Sequence, residues 1–438
     1  MKRLLTLLTL LSAMIAGSLC AQGDPPKKKI VVAYIAGWTA GELPDPHLMT
    51  HINYAFGHIT KTSDGMEIRN PDMLRKVVAL KQENPQLKVL LSVGGWASGN
   101  FSEMAANAEY RKSFVNSCAE AVREYGLDGI DIDWEYPTSS VAGIASSPDD
   151  TNNFTLLMHD LRMMLGKKRL LTIASAATAK YIDFKACIQY LDFVNIMAYD
   201  TALPPKHHTT LFRSSLSGRI TVSEAVDDHL KAGVPLQKLC LGMPLYGRGD
   251  HGNKVLDKYM KTKNTAGIYR ERWDATGQVP YLVNKGDTMV WAMENPRSIA
   301  AKCQYVMDKG LLGGMYWEIT EDDAQKDLMQ TVYLSLLKYR KATLPKYRIL
   351  CLESDPKPAL EQLLKDNKDY HGIEIVTYKG NYSPGYFNQF HAIVSKDGKL
   401  DALNDDARKE LQRYREEQRG NFVVLSKDLG PAHISLGK

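Results

Sequence analysis

Eight times between residues 30 and 317, a run of five to seven mostly β-branched or apolar residues gives way to a longer stretch. The runs are 30–36, 51–57, 88–94, 129–135, 171–177, 193–199, 239–245 and 313–317; helix-patterned segments such as 71–82, 109–125, 153–165 and 221–232 lie between them. Strand followed by helix, repeated, implies a parallel sheet with helices on its faces. Eight such units in about 310 residues fit an α/β fold of the (β/α)8 TIM-barrel type better than an open doubly wound sheet. The open sheet stays allowed, because periodicity does not close a barrel. The barrel is expected over residues 28–343. The seventh and eighth runs are spaced more widely, and 250–290, with Tyr269, Trp273, Pro280, Tyr281 and Gly286, reads as a small insertion on the rim. Beyond Pro345, strand-like 347–352, 372–378, 391–395 and 421–426 and helix-like 356–367 and 405–418 define a C-terminal α/β unit, 346–438, just large enough for its own core.

The bulk numbers exclude several function classes. A net charge of +5 on 438 residues is small, and no Lys/Arg stripe with interleaved aromatics points to nucleic acid. The first residues combine a basic start, Met1-Lys2-Arg3, with an apolar stretch over 4–15 and small residues toward Ala21. They read as a signal peptide, 1–21, too short to span a membrane, with Lys27-Lys28-Lys29 as a solvated start of the mature chain. The expected location is therefore outside the cytoplasm: secreted, periplasmic or at the cell surface. Cys20 raises the alternative of a lipoprotein, against which the bulky Leu19 argues. No later run is long and apolar enough to be transmembrane. The other cysteines, Cys118, Cys187, Cys240, Cys303 and Cys351, are far apart, odd in number and mostly in apolar contexts, so buried thiols are expected rather than disulfides or zinc ligands.

The chemistry is concentrated in Asp128-Gly129-Ile130-Asp131-Ile132-Asp133-Trp134-Glu135-Tyr136-Pro137. On a strand, Asp131, Asp133 and Glu135 share one face and Ile130, Ile132 and Trp134 the other. In a barrel the apolar face packs on the helices, so the carboxylates point inward, with Glu135 nearest the C-terminal end where such barrels build active sites. Carboxylates crowded in a poorly solvated interior cannot all ionise, and at least one proton stays in the cluster. That makes a poor core and a good general acid.

The pattern DGxDxDxE resembles the signature of glycoside hydrolase family 18, the chitinases and endo-β-N-acetylglucosaminidases. Other segments agree in order: Tyr34 on the first strand, Asn53-Tyr54-Ala55-Phe56 on the second, and Ser92-Val93-Gly94-Gly95-Trp96 on the third. Met197-Ala198-Tyr199-Asp200 matches the sixth, Pro244-Leu245-Tyr246-Gly247-Arg248 the seventh and Gly313-Gly314-Met315-Tyr316-Trp317 the eighth. The resemblance covers about residues 30–340. It implies a retaining hydrolase of β-1,4-linked N-acetylglucosamine polymers that uses the substrate's own acetamide as nucleophile, an exception to the two-carboxylate scheme. It assigns the proton to Glu135, the acetamido N–H to Asp133, a shared proton to Asp131, and an O–H donated to the acetamido oxygen to Tyr199. Trp317 is read as the floor of the sugar site, with Tyr34, Phe56, Trp96, Met197, Asp200, Tyr246 and Arg248 as further substrate contacts. No cofactor and no metal is expected, and the partner is an oligo- or polysaccharide containing N-acetylglucosamine. A monomer is expected. His207-His208, beside Pro204 and Pro205, cannot supply the i, i+4 pair of a zinc protease and reads as a substrate-lining or exposed loop.

Three departures widen the substrate question. The insertion is shorter than in many processive chitinases, the loop after Asp200 lacks the aromatics often found there, and no separate chitin-binding module is evident. An endo-β-N-acetylglucosaminidase acting on N-glycan cores is the first alternative, although the run Gly94 to Phe101 is more chitinase-like. A non-catalytic sugar-binding protein is the second; such relatives have usually lost the acid that this chain keeps at Glu135. The C-terminal unit faintly resembles glutamine-amidotransferase-like flavodoxin-type domains without a nucleophilic cysteine, and reads as accessory.

Overall fold

In the computed structural model the eight runs form a closed barrel of parallel strands. The structure describes residues 29–38, 43–249, 252–254, 269–323, 326–338, 347–353, 357–358, 373–380, 382, 387, 390, 392–396, 398, 400–401, 403–417 and 421–424. Strand β1 (Ile30–Ala36) pairs with β2 (His51–Ile59), onto which the short β3 (Met66–Ile68) folds back antiparallel. Then come β4 (Lys88–Gly94), β5 (Gly129–Asp133), β6 (Leu170–Ala176), β7 (Phe193–Met197) and β8 (Leu239–Pro244), each parallel to its predecessor in the barrel wall. The insertion contributes β9 (Gly247–Gly249), β10 (Gly252–Lys254), β11 (Arg270–Asp274), β12 (Val279–Val283) and β13 (Met289–Ala292). These form a separate antiparallel sheet in the order β10-β9-β13-β12-β11. The chain then re-enters the barrel as β14 (Gly313–Trp317), which pairs with both β8 and β1 and removes the open edge that sequence periodicity left undecided.

The helices follow from local signals. Helix α1 (Pro71–Ala79) starts with proline behind the cap Asn70, and α2 (Phe101–Ala106) leads into α3 (Ala108–Tyr125), capped by Asn107 and ended by Gly126 at φ 67°. After α4 (Asp150–Leu165) and the single turn α5 (Phe184–Cys187), α6 (Val222–Lys231) opens on a reciprocal Thr221–Glu224 capping box. Helix α7 (Pro296–Lys309) has a similar Asn295–Ser298 box and stops at Gly310, and α8 (Asp327–Tyr333) runs into a π-helical turn, Leu334–Lys338. Apolar residues on these helices cover the outer barrel face, including Ile130, Ile132 and Trp134 of the acidic segment. A smaller apolar cluster, with Val32, Tyr34, Phe56, Phe193, Cys240 and Met315, fills the barrel's interior. Cys118, Cys187, Cys240, Cys303 and Cys351 are all buried free thiols. Among the described residues no helix is long and apolar enough to cross a membrane.

Beyond the barrel, β15 (Tyr347–Cys351), β16 (Ile373–Thr377), β17 (Ala392–Ser395) and β18 (Asn421–Val424) form a parallel sheet in the order β16-β15-β17-β18, with α9 (Asp405–Glu417) between its last two strands in sequence. That order, 2-1-3-4, is the one shared by flavodoxin-like doubly wound sheets. The helix expected over 356–367 lies outside the described residues except for 357–358. The segment expected to be a signal peptide, 1–21, and with it Cys20, lies wholly outside them.

Candidate active site

Strand β5 ends at Asp133, so Glu135 stands just past the strand's C-terminal end, at the barrel mouth. The face alternation holds. Trp134 is buried on the helix side, stacked on Phe101 at 5.2 Å, while Asp133 and Glu135 line a cleft of about 1310 Å³ across the mouth. Asp131 lies deeper, fully buried, and does not reach the cleft. Its carboxylate accepts from the Tyr34 hydroxyl (2.8 Å), the Ser92 hydroxyl (2.8 Å), the Thr172 hydroxyl (2.6 Å) and, at 3.4 Å, the Asn195 amide. Asp133 is different: its Oδ1 is buried with no hydrogen-bond partner.

The electrostatics place a proton on the Asp133–Glu135 pair. Burial pushes the Glu135 carboxyl up to about 7, opposed by a hydrogen bond from Tyr136 and reinforced by the charge of Asp200. Burial also drives Asp133 well above the carboxylate range, followed by repulsion from Glu135 and Asp131. The expectation that neighbouring carboxylates raise Glu135 is thus sharpened: desolvation acts first, and the carboxylates acting on Glu135 are Asp200 and, through their mutual repulsion, Asp133, not Asp131.

The glycine pair of the third strand has a geometric cause. Gly94 and Gly95 adopt φ of +127° and +92°; a Cβ on Gly94 would sit 2.0 Å from the Asp133 carbonyl oxygen, and one on Gly95 2.5 Å from the Phe56 ring. Only without side chains can β4 bend so closely over β5, and the Gly95 N–H then donates to the Asp133 carbonyl at 2.9 Å.

All of the catalytic and substrate-contact side chains assigned from the sequence except Asp131 line the cleft: Glu135, Asp133, Tyr199, Trp317, Met197, Asp200, Tyr34, Phe56, Trp96, Tyr246 and Arg248. Trp317 lies stacked on Phe56 (5.6 Å, 18°) and beside Tyr34 (5.6 Å). Tyr199 stands edge-on to Tyr246 at 6.2 Å, and its hydroxyl points at the Met315 sulfur at 3.9 Å. Arg248 grips Asp200 with two N–H groups, Nε on Oδ1 at 2.7 Å and Nη2 on Oδ2, so both residues are cleft wall and ion pair at once. Trp96 is 60% exposed and meets Tyr136 edge-on.

One expectation is corrected. His207 and His208 are neither exposed nor lining the cleft; both are buried, because the insertion and α7 close over their loop. His207 lies 3.5 Å from Asp274 and edge-on to Tyr281 of the insertion, and His208 contacts Asp200 and Tyr246. Sequence reading also missed cleft residues. Trp38, 64% exposed and 6.4 Å from Trp317, follows the end of β1, and Tyr136 directly follows Glu135; their strand-end positions were the available signal. Tyr181, stacked on Tyr136 at 4.8 Å and 4°, and Glu321 carried no such mark. Among the described residues no three His, Cys, Asp or Glu side chains are grouped to hold a metal ion.

Comparison with known proteins agrees with this geometry. Chitinase A1 of Niallia circulans is 35% identical over 291 residues, 56% of this chain but only 42% of that protein's length. Chitotriosidase-1 of Mus musculus is 33% identical over 322 residues, 64% of this chain and 68% of the relative. Among solved structures, a family 18 N-acetylglucosaminidase from Paenibacillus barengoltzii superimposes with a TM-score of 0.65 at 34% identity, covering 70% of this chain and 100% of that one. The Ostrinia furnacalis Group IV chitinase gives 0.64 at 27%, with 70% and 100% covered. The family model described as glycosyl hydrolases family 18 matches residues 30–322, two-thirds of the sequence and the whole of the acidic strand and its cleft, and the chain belongs to that family.

Proposed function

We propose that the protein hydrolyses β-1,4 bonds between N-acetylglucosamine units of chitin or chitooligosaccharides, by retaining catalysis in which the substrate's acetamide is the nucleophile. The observation that carries this reading is the unpartnered, buried Oδ1 of Asp133 beside a carboxyl that keeps its proton to about pH 7. An unsatisfied buried acceptor is costly, and an acetamido N–H is the group that would satisfy it. Glu135 donates its proton to the glycosidic oxygen as the bond to the leaving sugar breaks. The acetamido carbonyl oxygen attacks the anomeric carbon from the opposite face, giving a cyclic oxazolinium; as that positive charge develops, Asp133 gives up the proton it shares with Asp131 to that residue and faces the sugar as a carboxylate. Tyr199 donates to the acetamido oxygen and orients it. Asp131, fixed by the hydroxyls of Tyr34, Ser92 and Thr172 and raised by its burial, is the group beneath Asp133 that takes up the shared proton. Reionised Glu135 then takes a proton from water, which opens the oxazolinium and restores the β configuration.

Substrate class follows from the walls. Trp317, Phe56, Tyr34 and the exposed Trp38 and Trp96 offer flat apolar surfaces for the C–H faces of successive sugar rings. A cleft of about 1310 Å³ exceeds the roughly 300–1,000 Å³ of a small-molecule pocket and suits several linked units. The relatives' names, chitinases and an N-acetylglucosaminidase, support the same class. Residues 1–21 act as a signal peptide that exports the protein, the barrel spans 28–343 with the rim insertion, and 346–438 is an accessory unit. The test is incubation with chitotetraose and, separately, with a high-mannose glycoprotein, following products by mass spectrometry and their anomeric configuration by NMR. Release of β-configured short oligomers of N-acetylglucosamine is expected. Exclusive release of the N-glycan, or α-configured products, would overturn the reading.

A further inference from the structure

The two histidines that the barrel buries are left unused by this mechanism, and His208 touches one of its charged groups. Asp200 follows β7 with φ of +59°, a left-handed conformation that a non-glycine residue adopts at a cost unless its surroundings hold it. Its carboxylate receives N–H groups from two sides. Arg248 donates from the cleft wall, and from beneath, His208 Nδ1 lies 3.3 Å from Oδ1. A carboxylate can only accept, so the His208 proton sits on Nδ1; Nε2 is buried without a partner, as suits an unprotonated nitrogen. The imidazole also packs against Tyr246 at 5.5 Å.

The loop that carries His208 is anchored on all sides. The His208 carbonyl accepts from the Thr201 N–H and hydroxyl, both at 3.1 Å. The next residue, Thr209, donates its hydroxyl to the Ala198 carbonyl at 3.0 Å and accepts from the buried Lys302 of α7 at 2.8 Å, whose ammonium is also paired with Glu294. The charged groups acting on His208 are therefore Asp200, Lys302 and Arg248; burial first, and then the two cations, hold the ring neutral against the pull of Asp200. A neutral ring has a single N–H, and it is given to Asp200.

We infer that His208 is a positioning residue for the reaction: it fixes Asp200 in its left-handed turn and on Arg248, and so keeps the Asp200 charge at a set distance from Glu135. The inference rests on the catalytic role proposed for Glu135. A second-layer histidine of this kind acts on the rate and barely on sugar binding, since it touches no sugar.

The test compares His208→Leu, which fills the space without an N–H, with His208→Asn, whose amide can donate from near the Nδ1 position. With chitotetraose, the leucine variant is expected to lose at least about tenfold in kcat with KM within about threefold of the parent, and the asparagine variant to recover to within about threefold. Equal losses in both variants would make the ring mere packing and overturn the inference, as would a leucine variant with parental kcat. If the leucine variant does not fold, His208→Ala replaces it in the same comparison. A parent inactive on every N-acetylglucosamine oligomer would count against the proposed function alone. The His208–Asp200 contact then remains testable by proton NMR: a slowly exchanging imidazole N–H signal, absent in His208→Asn, should also vanish in Asp200→Ala. Its survival there would overturn the inference independently of turnover.

Discussion

Replacing Glu135 by glutamine separates the cost of this residue to the fold from its proposed use in the reaction. The carboxyl stands at about 7 against an ordinary 4.5. Because its folded value is raised, the proton-linked stability of Glu135 is complete below about pH 4.5 and is lost as pH climbs through about 7. At about 1.36 kcal/mol per pH unit the loss amounts to roughly 3 kcal/mol above about pH 8. Glutamine carries no such penalty. The variant should therefore match the parent near pH 4.5 and exceed it by roughly 3 kcal/mol near pH 9. Removing the Glu135 charge also eases ionisation of Asp133, which acts in the same direction. In a barrel of this size the gain corresponds to roughly 5 °C in melting temperature, readable by scanning calorimetry across pH at a fixed scan rate. Over the same range kcat should fall by about 10²–10⁴, the usual contribution of a positioned general acid. A melting difference that does not change with pH would refute a proton held on Glu135, and undiminished turnover would refute its role as acid.

Three further outcomes follow from the same geometry. For the parent enzyme, kcat/KM should decline above about pH 7 by about tenfold per pH unit as Glu135 loses its proton; a rate flat to pH 9 on a chromogenic chitobioside would contradict the assignment. Tyr34→Phe removes the hydroxyl that donates to the buried Asp131 at 2.8 Å, and should cost about 1–3 kcal/mol of stability by thermal melting and lower kcat with little change in KM. Gly95→Ala forces a Cβ to within 2.5 Å of the Phe56 ring at a φ of +92°, so a loss of at least about 2 kcal/mol is expected, together with weaker binding of oligosaccharide in calorimetric titration; parental stability would show that β4 can relax away from the cleft.

The barrel was legible because its strands are buried on both faces, so they appear as near-continuous apolar runs whatever the helices between them do. The acidic run was legible for the opposite reason. Asp131, Asp133 and Glu135 break that rule on one face only, at the end of the barrel where function is built. What could not be read depends on contacts between segments distant in sequence. Barrel closure needs β14 against β1, about 280 residues away, and no local pattern encodes that pairing. The strands of the rim sheet are three to five residues long, below the length at which alternation stands out from chance. The histidine pair is the clearest case. Flanked by Pro204, Pro205, Lys206 and two threonines, it has the composition of a solvated loop, and by itself the segment would be one. Lys302, Asp274 and Tyr281, contributed by residues 66 to 95 positions later, bury it against the cleft wall. Among the described residues, the side chain within hydrogen-bond reach of the buried His208 ring is Asp200. A polar loop in a barrel of this type is thus best judged by what the next insertion can lay over it. The same dependence makes Lys302 a second probe of the wall: Lys302→Met should release Thr209, and with it His208, so the slowly exchanging imidazole N–H signal should be lost in proton NMR, and a signal unchanged from the parent would show that the loop is held without Lys302.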